Sequence, residues 1–229
     1  MDFFNLLGLA LAPGLAIMLY IYWSDTHERE PVRLLIISFV YGCLSVPVTL
    51  TLSSIIYPFF NLQSNLISHQ AFKAFFLVAL IEEFSKIIFA RGLIFPKKDF
   101  NEPYDGIVYT VMIGMGFATI ENIMYVFQGG YSVGIMRMFT AVPAHATFAI
   151  LMGYFLGKAK FEKPVISFTL LGLLAAVLFH GAYDFFLFIS WIPGIWLGAL
   201  VSLIVALILS RRAMKIHRES SPFQPPDLR

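Results

Sequence analysis

Apolar runs of about twenty residues recur along the whole chain, separated by short polar breaks, and they constrain the fold more than any other feature. A helix needs roughly 20 apolar residues to cross a hydrocarbon core about 30 Å thick, whereas a membrane strand needs only about 9–11 and alternates in polarity. The runs here do not alternate, so they read as helices. Composition agrees: 59% of the residues are apolar and 13% charged, against roughly 45–50% and about 25% in soluble domains. The mean hydropathy is +0.78. The expected fold is all-α, a polytopic transmembrane helical bundle of about seven to eight spans. The runs lie near 3–23, 32–59, 71–95, 105–128, 138–157, 164–189 and 195–209. A split or re-entrant segment between Gly129 and Pro143 would add an eighth element.

The first run begins Met-Asp-Phe-Phe, with no basic segment before it and no small-residue cleavage site, so it reads as a retained helix. Residues 1–210 are expected to form one integral-membrane domain, and 211–229 a basic, proline-bearing, disordered tail. The lone Cys43 excludes an intrachain disulfide and a cysteine metal cluster. Lys and Arg gather in the first, third and fifth loops and in the tail, which predicts the N-terminus outside and the C-terminus in the cytoplasm. Nothing points to a nucleic-acid partner; the lipid bilayer is the expected surround. No internal repeat is visible.

Charge inside the apolar runs is the second constraint. Ala79-Leu-Ile-Glu-Glu-Phe-Ser-Lys86 places two adjacent glutamates and a lysine where Leu or Ala would satisfy packing. An ionisable group at mid-bilayer costs roughly 2.5–3.5 kcal/mol on insertion scales. One glutamate can pair with Lys86 a helical turn away; the other needs a proton, a metal or another partner. Adjacent carboxylates raise each other's pKa, which suits one of them to take a proton from water. The plainer reading is a buried ion pair locking two helices.

Further along stand Glu121 and Asn122, then His145, then His180-Gly-Ala-Tyr-Asp184. The last pair sits at i and i+4 on one helix face, so the aspartate can orient the imidazole, or both can bind one ion. Each has a plainer reading as an interhelical or intrahelical hydrogen bond. Counting about 1.5 Å per residue from the outer span ends puts Glu82 about 17 Å deep, Glu121 about 10 Å, and His145 and His180 roughly 11–14 Å. Polar groups from four helices at one level mark a shared interior cavity. A mixed carboxylate and imidazole set could hold a divalent metal, zinc being the usual choice. No His-Glu-x-x-His signature is present.

The spaced segments Ala12-Pro13-Gly14, Glu30-Pro31, Glu82-Glu83-Phe-Ser-Lys86, Tyr104-Asp105-Gly106, Gly116-Phe-Ala-Thr-Ile-Glu-Asn122, His145, Gly153-Tyr-Phe-Leu-Gly157 and His180-Gly-Ala-Tyr-Asp-Phe185 together resemble the PrsW family. Those membrane-embedded proteases make the first cut in bacterial anti-sigma factors. That family is itself similar to the CAAX-prenyl endopeptidases, whose Phe-x-x-x-His and His-x-x-x-Asn motifs correspond here to Phe117-x-x-x-Glu121 and His180-x-x-x-Asp184. The resemblance implies a bacterial inner-membrane endopeptidase that cuts a single-pass membrane protein, with Glu82, Glu83 and His180 as its essential groups. Glu82 or Glu83 would activate water. Glu121, His145 and His180 would bind zinc or another divalent metal, or stabilise the oxyanion, and Asp184 would orient His180. Asp105 matches a family position near a helix start and reads as a cap. A proton-coupled transporter using the same acid and histidine cluster is the alternative, and a scaffold whose ion pairs set helix register is a third reading.

Overall fold

The computed structural model describes residues 3–60 and 63–224, and among them it contains helices and no strand. The helices are α1 (Phe3–Ser24), α2 (Val32–Ile56), α3 (Ile67–Phe72), α4 (Leu80–Phe89), α5 (Pro103–Phe139), α6 (Ala141–Phe161), α7 (Val165–Phe188) and α8 (Leu197–Glu219). Five helical stretches are long and apolar enough to cross a membrane: Phe3–Ser24, Val32–Phe59, Pro103–Phe161, Val165–Phe188 and Leu197–Glu219. The chain is therefore an all-helical membrane protein. Large apolar side chains such as Leu19, Ile36, Leu50, Leu174, Leu178 and Ile204 point outward on α1, α2, α7 and α8. They are the surface that lipid would cover.

α5 is the centre of the bundle. Its residues from Tyr104 to Thr119 are all buried, as expected of a helix that is apolar all round. It packs on α1, α2 and α6, while α6 carries α7 and α8. Two close approaches make this possible. A Cβ on Gly42 of α2 would stand 2.0 Å from the Ile113 carbonyl oxygen of α5, and one on Gly106 of α5 would stand 2.4 Å from the Gly153 carbonyl oxygen of α6. Only glycine lets these backbones meet. α5 begins with a capping box in which Glu102 and Asp105 satisfy each other's backbone amides, in keeping with the reading of Asp105 as a cap.

Three regions bear on the sequence reading. Gly129-Gly130, where the run 105–128 ends and a split or re-entrant segment is expected, turns the chain. Gly130 has φ 73° and ψ −163°, a conformation essentially confined to glycine. The segment after it folds back beside α5. The polar stretch Asn61–His69 was expected to be a loop, but Ile67 onward is helical; Asn61 and Leu62 lie outside the described residues. The tail was expected to begin at Arg211, yet α8 continues to Glu219. Apolar Ala213 and Met214 are buried there, and His217 stacks on Tyr154 at 4.4 Å while donating from Nε2 to the Tyr154 carbonyl. Residues 225–229 lie outside the described chain.

Candidate active site

Four helices bring their charged residues to one place. Glu82, Glu83 and Lys86 lie on α4, between two stretches of wider π-type turns, Lys73–Ala79 and Ala90–Ile94. Such turns shift the helical phase and recur at functional sites. The Lys86 ammonium is 2.7 Å from Glu83 Oε1 and 3.7 Å from Glu82 Oε2. It also donates to His145 Nδ1 at 3.4 Å and lies 4.0 Å from the Phe117 ring centre.

His180 of α7 donates from Nδ1 to Glu83 Oε1 at 2.8 Å. Its other nitrogen faces Asp184 Oδ2 at 3.4 Å and Glu82 Oε2 at 3.9 Å. Phe148 stacks on the His180 ring at 4.8 Å and 13°, fixing its plane. His145 of α6 donates from Nε2 to Glu121 Oε2 at 2.9 Å, which leaves Nδ1 with a lone pair. All six residues singled out in the sequence, Glu82, Glu83, Glu121, His145, His180 and Asp184, thus meet in one network.

The two glutamates of the pair have different surroundings. Glu83 is 1% exposed and held by both Lys86 and His180. Glu82 lines a cavity of about 480 Å³ with Glu121, His145, His180 and Asp184, and its Oε2 is buried without a hydrogen-bond donor. Tyr57, Lys73, Tyr125, Thr140 and Tyr183 contribute to the same wall.

One member of this site was missed in the sequence. Arg137 donates from Nη2 to Glu121 Oε2 at 2.8 Å and from Nε to Asn122 Oδ1 at 2.9 Å. On a straight helix Arg137 and Glu121 would be roughly 24 Å apart at 1.5 Å per residue; the reversal at Gly130 brings them together. Asn122 in turn donates to the Ala10 carbonyl of α1 at 2.9 Å. The available signal was an arginine in an apolar stretch just after a Gly-Gly break.

Whether the residues suit a metal can be tested on the donor set. Ligand atoms of Glu82, Glu83, His145 and His180 lie within 4.8 Å of one another. Two imidazoles and carboxylates are a set that zinc accepts, and Glu82 Oε2 accepts no hydrogen bond; the Lys86 ammonium, 2.7 Å from Glu83 and 3.4 Å from His145 Nδ1, would move aside for an ion to take the same donors. Glu121 stands beside this group, bound to His145 and Arg137.

The sequence matches the family described as PrsW family intramembrane metalloprotease over residues 30–211. Proteins named Protease PrsW are similar over most of their length. The one from Oceanobacillus iheyensis is 39% identical over 187 residues, 80% of this chain and 83% of that protein. That of Geobacillus kaustophilus is 33% identical over 201 residues, 85% of each. The Bacillus subtilis protein is 33% identical over 186 residues, 80% of this chain and 83% of its own. No solved structure matches the chain.

Proposed function

Because this chain belongs to the PrsW family of intramembrane metalloproteases, we propose that Glu82 is the base with which it hydrolyses a peptide bond of a single-pass membrane protein. It is a multi-pass protease of a bacterial membrane. The observation that carries the assignment is the asymmetry of the glutamate pair. Glu82 faces the cavity with Oε2 accepting no hydrogen bond and Lys86 no nearer than 3.7 Å, while Glu83 is tied down on both sides.

In this reading Glu82 takes a proton from water as the water oxygen attacks the scissile carbonyl carbon. The C–N bond then breaks as Glu82 returns that proton to the leaving nitrogen. Glu83, His145 and His180 would hold a divalent ion, two imidazoles and one carboxylate being a known catalytic zinc set with an open position. When bound, the ion supplies Lewis acidity toward the carbonyl or the water. The Nδ1–H of His180 donates to Glu83 and orients the ring, so Nε2, with Asp184 beside it at 3.4 Å, is the nitrogen that would meet the ion. Glu121 orients His145 through Nε2–H and so keeps Nδ1 free of a proton. Arg137 and the imidazoles line the wall on which negative charge develops at the carbonyl oxygen.

An anti-sigma factor is the substrate class that the family resemblance suggests. Seven crossings, with the N-terminus outside, fit the alternation of Lys and Arg. The test is cleavage of a membrane-anchored candidate in proteoliposomes, paired with elemental analysis of the purified protein. Glu82→Gln is expected to keep its metal and lose roughly 10²–10⁴-fold in rate. Glu83→Gln and His145→Ala are expected to lose metal and activity together. If Glu82→Gln cleaves at the parent rate, Glu82 is not the base.

A further inference from the structure

A second concentration of buried acid lies at the other end of the bundle. Asp105 opens α5, and at about 1.5 Å per residue it stands roughly 24 Å along that helix from Glu121. Around it gather Asp25, Glu28 and Glu30 from the segment between α1 and α2, and Glu102 before α5. Asp25, Glu30, Glu102 and Asp105 are 2%, 3%, 1% and 0% exposed.

Each of these four carboxyls is built into place. Tyr109 donates its hydroxyl to Glu30 Oε2, and Ser221, beyond α8, donates to Glu102 Oε2. Asp105 Oδ2 accepts the backbone N–H groups of Asn101 at 2.6 Å and Glu102 at 2.8 Å. The Glu30 carboxyl lies within hydrogen-bond reach of that of Asp105, and the Asp25 carboxyl of that of Glu102, so with no cation bound each pair shares a proton. Glu30 Oε1, Asp105 Oδ1, Asp25 Oδ2 and Glu28 Oε2 remain buried without a hydrogen-bond donor. Among the described residues, no Lys, Arg or His nitrogen forms an ion pair with any of the five.

Once ionised, such oxygens turned toward one another are strongly unfavourable in a buried site, so each pair needs a shared proton or a cation. The donor set is oxygen alone, with no imidazole or thiolate, which is the preference of a hard cation and not of zinc. Among the described residues no three of these carboxyls bring ligand oxygens within 4.8 Å of one another, so the protein offers donors in pairs. Magnesium keeps several of its waters and takes only one or two carboxylates from a protein, which is what a pair supplies.

We propose that the Glu30–Asp105 pair, supported by the charge of Asp25, Glu28 and Glu102, binds a hard divalent cation of the magnesium class. The bound ion fastens the segment between α1 and α2 to the start of α5, where Ser221 also anchors the end of α8.

The test uses the full chain in detergent, with His145→Ala in the background to weaken metal binding at the other cluster. After chelation, thermal unfolding is followed against added Mg²⁺ or Mn²⁺, and bound Mn²⁺ is counted by electron paramagnetic resonance. A saturable rise in the midpoint with one Mn²⁺ per chain is expected. Glu30→Gln, which keeps an acceptor for the Tyr109 hydroxyl, should weaken the ion by at least about tenfold. Asp105→Asn should do the same; if it fails to fold because it caps α5, Glu30→Gln decides alone. The proposal is overturned if neither ion shifts the midpoint, or if the shift is equal in Glu30→Gln. It is also overturned if Glu30→Gln raises the midpoint and removes no ion binding, since the carboxyl pairs would then be holding protons.

Discussion

Arg137 touches both residues of the Glu121-Asn122 pair, and through Glu121 it reaches His145. A buried bidentate arginine is poorly replaced by lysine, whose single ammonium cannot serve two acceptors in a fixed fork. Arg137→Ala is expected to lower kcat by roughly 10–100-fold, the usual range for a residue that orients a ligand, with KM little changed. Arg137→Lys should recover only part of the loss. Separate determination of kcat and KM checks this, because a residue gripping substrate would move KM instead. Glu82, Glu83, Glu121, His145, His180 and Asp184 were legible in the sequence for one physical reason: charge within apolar runs is too costly to be incidental. Arg137 was not legible, because its partner lies across a chain reversal set by one glycine torsion. Nor could sequence separate Glu82 from Glu83. Their difference depends on which faces the cavity, and the π-type turns on either side of α4 alter that phase.

Glycine contacts between helices determine how closely the site is assembled. Gly42 of α2 and Gly116 of α5 face each other so tightly that a methyl group on either would stand 2.0–2.1 Å from a backbone carbonyl of the other helix. No rotamer relieves a clash with backbone, so α2 would have to move off α5. Gly42→Ala is expected to destabilise the protein by about 1–3 kcal/mol, the usual range for overpacking, and to lower the unfolding midpoint in detergent. Gly92, where a Cβ meets nothing within 4 Å, is the matched control, and Gly92→Ala should leave the midpoint nearly unchanged. The existence of most helices was plain from the apolar runs. The extent of α8 was not plain. Its final turns are rich in Arg and Lys and look solvated by composition, but Ala213, Met214 and His217 form an inward stripe that sequence polarity conceals.

The two buried clusters give the whole molecule opposite ends with different chemistry, and pH should separate them. Burial, reinforced by neighbouring carboxylates, pushes the Asp25 carboxyl up to about 8 and that of Glu30 up to about 11. Asp25 is surrounded by Glu102, Asp105 and Glu28, with Arg29 opposing, and Glu30 by Asp105, Glu28 and Asp25. Unfolded, both groups release their protons near their ordinary values of 3.8 and 4.5. Above those values and below the raised ones, the folded chain holds protons that the unfolded chain has lost. Stability therefore falls as pH rises through this window. In chelator, the unfolding midpoint should drop steadily between about pH 5 and pH 9. In Glu30→Gln, which has one titrating group fewer, the slope should be shallower. A divalent ion between Glu30 and Asp105 would replace the proton, so added Mg²⁺ should flatten the slope in the parent chain and leave that of Glu30→Gln unchanged. A slope that is the same in both chains, with and without Mg²⁺, would place the pH dependence elsewhere in the protein.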